Sequence, residues 1–399
     1  MSNTKPTLSR RDFLKVTGFG SVGAIVTPFN QSVQASEKDQ TMPTRPFGKT
    51  GVNVPILSFG GSLQLPMIML RNAYLRGVTY WDTASSYMGG NSEKRIGKYF
   101  DKFPQDRKKI FLVTKSHASS TSGMADDLNR SLERMQTDYV DLYFAHAIFS
   151  IDELNQDIKK WAEKAKSTGK IRFFGFSTHS NMASCLLDAT KLGWIDGIMT
   201  TYNYRLMHID SMKRAVDACA KAGIGLTAMK TQGGGQVKTN TNTELMLAGR
   251  FVKKGYTDAQ AKLKAVWENL NITSICSEMP NMTILMANMA AAMNKTALST
   301  RDMNLLHRYA HETRSDYCAG CTEICEPTVN SQVPIGDVMR YLMYYRSYDD
   351  QYRGVVLFNN IPKNIRSKIP RLDYSLAEKR CPQKLAIGKL MLDALQELS

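Results

Sequence analysis

Four titratable residues stand at the ends of three apolar runs. Asp82 closes "TYWD", Lys115 closes "IFLVTK", His146 closes "VDLYFAH", and Tyr87 lies just beyond Asp82 in "TASSYMGG". Runs of this kind read as β-strands buried on both faces. An aspartate at the exit of a buried strand is costly unless something pairs with it. One such residue alone reads as a solvated strand end or a satisfied core side chain. Four on three consecutive strands, all directed to one mouth, read as an acid–base site.

A second group lies far downstream. "DYCAGCTEICEP" brings Cys318, Cys321 and Cys325 together, and "EKRCPQ" adds Cys381 followed by proline. Three clustered thiols plus a remote Cys-Pro match iron–sulfur ligation in kind, although the bacterial run is spaced C-x2-C-x2-C-x3-C-P. One [4Fe–4S] cluster is therefore expected, with two disulfides and a four-cysteine zinc site as the other readings. Cys185, Cys219 and Cys276 fall inside helix or strand patterns and read as core thiols.

The elements that must hold these residues alternate. Strands are expected at Val54–Phe59, Thr79–Asp82, Ile110–Lys115, Val140–His146, Ile171–Phe176, Gly197–Thr200, Gly225–Lys230 and Ile272–Cys276. Helical patterns separate them, among them Met67–Leu75, Ala125–Met135, Ile151–Ser167 and Met182–Leu192. Eight such units in about 240 residues have the size and grammar of a (β/α)8 barrel. A doubly wound sheet would carry a Gly-rich fingerprint after its first strand, and "SFGGSLQLP" is not one. The fold class is thus α/β, a (β/α)8 TIM barrel over residues 44–299 with a mostly helical, cysteine-containing extension over 300–399. A hairpin at Thr44–Pro55 is placed to plug the barrel bottom. The long polar connection Thr231–Tyr256 reads as a lid or binding loop and hints at a hydroxylated ligand such as a sugar.

The chain has 399 residues, 43% hydrophobic and 22% charged, enough for a large core. Its net charge of +16 is spread along the chain without a dense basic run beyond the N-terminus, so nucleic acid is not an expected partner. No apolar run is long enough to predict a transmembrane anchor in the mature protein. The segment "SRRDFLK", a Gly-rich apolar stretch and a small-residue site ending at Ala35 resemble a twin-arginine export signal over residues 1–35. That resemblance implies export to the periplasm by machinery that carries folded, often cofactor-loaded, proteins.

The stretches "FGKTGVNVPILSFGG", "GVTYWDTASSYMGGNSEKRIGKYF", "FLVTKS", "DYVDLYFAH", "GKIRFFGFSTHS" and "AMKTQGGG" resemble the aldo-keto reductase family in order, from Pro46 to about Asn288. The resemblance implies a nicotinamide-dependent oxidoreductase, with Asp82, Tyr87, Lys115 and His146 as its catalytic tetrad. Tyr87 would give the proton, Lys115 would lower its pKa, Asp82 would hold Lys115, and His146 would orient the carbonyl. Ser177 and Thr178 would contact the nicotinamide, Lys230, Gly233 and Gly234 the pyrophosphate, and Asn288 the far end of the dinucleotide. Thr178 stands where Asn is commoner, and Glu278 stands near a Gly position. An acid there repels a 2′-phosphate, which favours NAD(H) over NADP(H). The tail resembles ferredoxin-like extensions of some members, which implies a redox partner. Two other functions compete: a binding barrel that has lost turnover, and an iron–sulfur electron-transfer subunit.

Overall fold

The computed structural model describes residues 42–234, 246 and 250–399 except 349, and leaves out the side chain of 316. The expected export signal, and 235–245 and 247–249 of the expected lid loop, lie outside the described residues.

A short antiparallel hairpin comes first, β1 (Thr44–Pro46) paired with β2 (Asn53–Pro55). Its turn is closed by Phe47 N–H donating to the Val52 carbonyl at 2.8 Å. Eight parallel strands then form a closed barrel: β3 (Leu57–Gly60), β4 (Tyr80–Asp82), β5 (Phe111–Ser116), β6 (Val140–Ala145), β7 (Ile171–Thr178), β8 (Gly197–Thr201), β9 (Gly225–Met229) and β10 (Ser274–Glu278). β10 closes the ring on β3, with Ile275 opposite Leu57. The expected first strand, Val54–Phe59, is really two elements: Val54 belongs to the hairpin and Leu57 to the barrel. Pro55 cannot donate a ladder hydrogen bond, which marks the break.

Helices α1 (Met67–Leu75), α2 (Asn91–Lys102), α3 (Thr121–Met135), α4 (Gln156–Ser167), α5 (Met182–Leu192), α6 (Asp210–Lys221), α7 (Asp258–Trp267) and α8 (Met282–Met293) surround the strands. Helix α3 shows why these segments form helices. Ser120 caps its start by accepting from Gly123 N–H, and Met124, Leu128, Leu132 and Met135 make one buried stripe. The expected helix Ile151–Ser167 is broken by Leu154 and Asn155, and Asn155 caps the true start of α4.

The barrel bottom is plugged by the hairpin. Phe47 is fully buried among Tyr80, Phe111, Leu142 and Phe144. Gly197 and Gly225 make room for its ring: a Cβ at either would come within 2.7 Å of it.

The extension is helical, as expected: α9 (Thr300–Glu312), α10 (Thr322–Cys325), α11 (Ile335–Ser347), α12 (Gln351–Asn359), α13 (Lys363–Arg366), α14 (Ser375–Arg380) and α15 (Ile387–Leu398). It has a small core of its own around Val338, Leu342, Phe358, Ile369 and Met391. Tyr317 from the extension is buried in the barrel's core, and Met343 packs against that core. Barrel and extension share one compact unit, Thr41–Ser399. Among the described residues, no helix is long and apolar enough to cross a membrane.

Candidate active site

Three successive strand ends deliver the tetrad. Asp82 is the last residue of β4, Lys115 the next to last of β5, and His146 follows β6 directly. Parallel pairing in register puts all three at the same end of the barrel. Tyr87 opens a short turn, Tyr87–Gly90, in which Met88, Gly89 and Gly90 all have positive φ. The loop before it is tied to β5 through Thr83 N–H to the Val113 carbonyl at 2.8 Å and Ser85 N–H to the Lys115 carbonyl at 3.0 Å. From below, Glu93 accepts from Thr114 Oγ1 at 2.7 Å and pairs with Arg134 at 3.1 Å. Arg134 in turn donates to the Ser85 carbonyl at 3.0 Å.

Lys115 is the hub. Its Nζ donates to Asp82 Oδ1 at 2.6 Å and to the Thr83 carbonyl at 2.7 Å, and lies 3.4 Å from the Tyr87 hydroxyl. The Tyr87 ring meets the His146 ring edge-on at 5.6 Å. His117, not singled out by the sequence, stacks on His146 at 4.1 Å. The buried His146 Nδ1 and Asp82 Oδ2 have no hydrogen-bond partner among the described residues.

Burial pushes Lys115 down, but Asp82 and Tyr87 outweigh it and hold the ammonium charged. Burial and the nearby Lys115 hold His146 well below its ordinary value, so its ring is neutral. Tyr87 departs from expectation. Burial dominates and pushes the hydroxyl up to about 12, although Lys115 does pull it down.

The residues expected to hold a dinucleotide are occupied by the chain itself. Ser177 Oγ accepts from Ala147 N–H at 2.9 Å, and Thr178 Oγ1 donates toward the Ile148 and Ser180 carbonyls. Asn288 Nδ2 donates to Ser277 Oγ at 3.0 Å. Lys230 Nζ donates to the Tyr344 hydroxyl at 2.6 Å, and Gly234 N–H points to the Tyr348 hydroxyl at 3.4 Å. A Cβ on Gly233 would strike the Tyr204 ring at 2.7 Å. Glu278 is matched by Arg353 at 3.7 Å and bonded by Ser62, so it is not the isolated negative charge on which the preference for NAD(H) rested. In the conformation described, Lys230 and Gly234 therefore hold partners from the extension in place of a dinucleotide. The partners of Lys230, Gly234 and Glu278 come from α11, α12 and the link between them, a segment whose Arg340, Tyr344 and Tyr348 recur every four residues. That spacing was the available signal.

The four tail cysteines do come together. Cys318, Cys321, Cys325 and Cys381 line one cavity whose other walls are largely apolar, including Ile335, Met339 and Leu385. All are free thiols, so the disulfide reading is not seen. Among the described residues no three His, Cys, Asp or Glu converge closely enough for a single metal ion, so no tetrahedral four-thiolate zinc geometry is formed. A neighbouring cavity, lined by His179, Lys230, Tyr317 and Arg340, shares Cys318, Ala319 and Gly336 with the first.

Comparison with known proteins agrees with this architecture. The Aldo/keto reductase family model matches residues 64–298. L-galactose dehydrogenase of Arabidopsis thaliana is 29% identical over 179 residues, 40% of this chain and 56% of that protein. Aldo-keto reductase yakc [NADP(+)] of Schizosaccharomyces pombe is 27% identical over 218 residues, 49% of this chain and 62% of that one. These alignments thus span less than two thirds of the relatives' own length. Among solved structures, the thermostable aldo-keto reductase Tm1743 has a TM-score of 0.56 at 26% identity, over 67% of this chain and 99% of its own. An aldo-keto reductase from Klebsiella pneumoniae in complex with NADPH has a TM-score of 0.57 at 21% identity, over 68% and 95%. With the tetrad assembled at the mouth of a closed eight-stranded barrel, the chain belongs to the aldo/keto reductase family.

Proposed function

We propose that this protein is an oxidoreductase that interconverts a carbonyl and an alcohol, with Tyr87 as general acid. The observation that carries it is Lys115, held charged between Asp82 and Tyr87 at the barrel mouth. A carbonyl being reduced gathers negative charge on oxygen, and a nearby proton donor together with a fixed cation lowers that barrier. Tyr87, pushed up to about 12, stays protonated over the whole working range and is poised to donate. Neutral His146 donates one ring N–H to the same oxygen. Asp82 keeps Lys115 in place. The arrangement suits reduction better than oxidation, because a buried phenol is a reluctant base.

The hydride donor in this reading is a reduced nicotinamide, NADH or NADPH, the latter being held by the Klebsiella relative. The substrate class is a hydroxylated carbonyl such as a sugar. The polar composition of Thr231–Tyr256 and the name of the plant relative support it. The N-terminal "SRRDFLK" supports export to the periplasm through the twin-arginine machinery. The four-cysteine cavity supports one [4Fe–4S] cluster held by Cys318, Cys321, Cys325 and Cys381. When bound, such a cluster exchanges single electrons with a redox partner.

The test is mass spectrometry of small molecules released from the mature protein purified without added cofactor, followed by turnover assays with reduced nicotinamides and aldoses. Nicotinamide-dependent turnover that disappears in Tyr87→Phe supports the reading. Turnover that survives in that variant sinks it.

A further inference from the structure

We propose that the segment α11–α12 of the extension is an intrachain strap that occupies the dinucleotide groove, so that strap and dinucleotide compete for one place. The proposal rests on the nicotinamide reading above and goes beyond it.

The contacts are specific and come from several points of the mouth. Tyr344 takes the hydrogen bond of Lys230 at the end of β9, at 2.6 Å, and its ring lies 4.4 Å from that ammonium. Tyr348 reaches the backbone N–H of Gly234. Arg353 crosses to the end of β10, near Glu278 and within 3.4 Å of Ser62 Oγ, while its guanidinium lies 4.6 Å from the Tyr344 ring. Behind them, Tyr317 accepts from Asn203 Nδ2 at 2.9 Å, and the Gly320 carbonyl accepts from Asn181 N–H at 2.8 Å. Gly320 is pressed so closely on β7's exit that a Cβ there would lie 2.3 Å from the His179 carbonyl.

The strap mimics what it displaces in chemical terms. A lysine and a backbone N–H that suit phosphate oxygens instead meet phenolic oxygens. Flat rings lie at a mouth where flat heterocycles would lie. Each of these groups can serve one partner at a time, so a dinucleotide must lift the strap before it binds. An affinity measured against a closed strap is reduced by the fraction of molecules that are open.

The strap also has a second attachment. One wall of the cysteine cavity is Ile335, Gly336 and Met339, and the next turns of α11 carry Arg340 and Tyr344 at the barrel mouth. A rigid helix thus joins the two places, and lifting one end disturbs the other.

The experiment titrates NADH and NADPH into the full chain by calorimetry and follows hydrogen exchange in peptides of α11 and α12. It compares the wild type with Tyr344→Ala/Arg353→Ala, and with the shape-conserving Tyr344→Phe in case the double variant fails to fold. The expected result is at least tenfold tighter binding in the double variant, a smaller gain in Tyr344→Phe, and faster exchange in α11 and α12 when dinucleotide binds the wild type. Equal affinities, or binding that leaves exchange in both helices unchanged, overturn the strap alone. No binding by any form overturns the strap and the nicotinamide reading together.

Discussion

At the scale of single residues, the tetrad was legible because each member sits at or just beyond a strand end, where side-chain type is easily read against an apolar run. Its electrostatics were not legible. How far burial outweighs Lys115 at Tyr87 depends on what covers the mouth, and the cover comes from a distant part of the chain. Replacing Tyr87 by Phe is expected to lower turnover by about 10²- to 10⁴-fold with ligand binding retained, read as a fall in kcat at similar KM. Lys115→Met removes the charge that Asp82 needs. A carboxylate left unpaired in the interior costs about 3–5 kcal/mol, so this variant should lose stability as well as turnover in urea titration. A variant as stable as the wild type would show that Asp82 finds another partner or a proton.

At the scale of elements, strand and helix positions followed from periodicity, and the errors fell where the pattern runs through a break. Val54 to Phe59 is largely apolar, so only Pro55 betrays two strands with different partners. The hairpin's role was legible from its place before the first barrel strand. The space it fills was not, since it depends on Gly197 and Gly225 leaving the barrel floor open for a ring. Phe47→Ala should cost about 3–5 kcal/mol, measured by denaturant midpoint, without moving any mouth residue. At the cysteine cavity, spacing grouped three thiols and the Cys-Pro pair pointed to Cys381 as the fourth, and the fold of α10–α14 brings it to them. On the proposal of a cluster there, Cys381→Ser is expected to lower the iron and sulfide content of protein purified without oxygen. Full iron content in that variant would refute a cluster with Cys381 as ligand.

At the scale of the whole molecule, the histidines set a pH dependence. His146 and His179 are held well below their ordinary value by burial and nearby cations, His117 is lowered too, and His208 is held near 4 mainly by burial. Each stays neutral when folded and takes a proton when unfolded. Stability is therefore expected to fall as pH drops below about 6.5, by up to ~1.4 kcal/mol per pH unit for each such group. Thermal melts at pH 7.5, 6.5 and 5.5 should show a declining midpoint; a flat or rising one contradicts this assignment.

The same mouth has a history in time. The barrel cannot close until β10, ending at Glu278, has been made to pair with β3, and Tyr344 and Arg353 emerge from the ribosome only after that. During synthesis there is an interval when the ring is whole and its mouth is uncovered. The contacts of Tyr344 and Arg353 to Lys230 and Glu278 are therefore made late, onto strands that have already been synthesised.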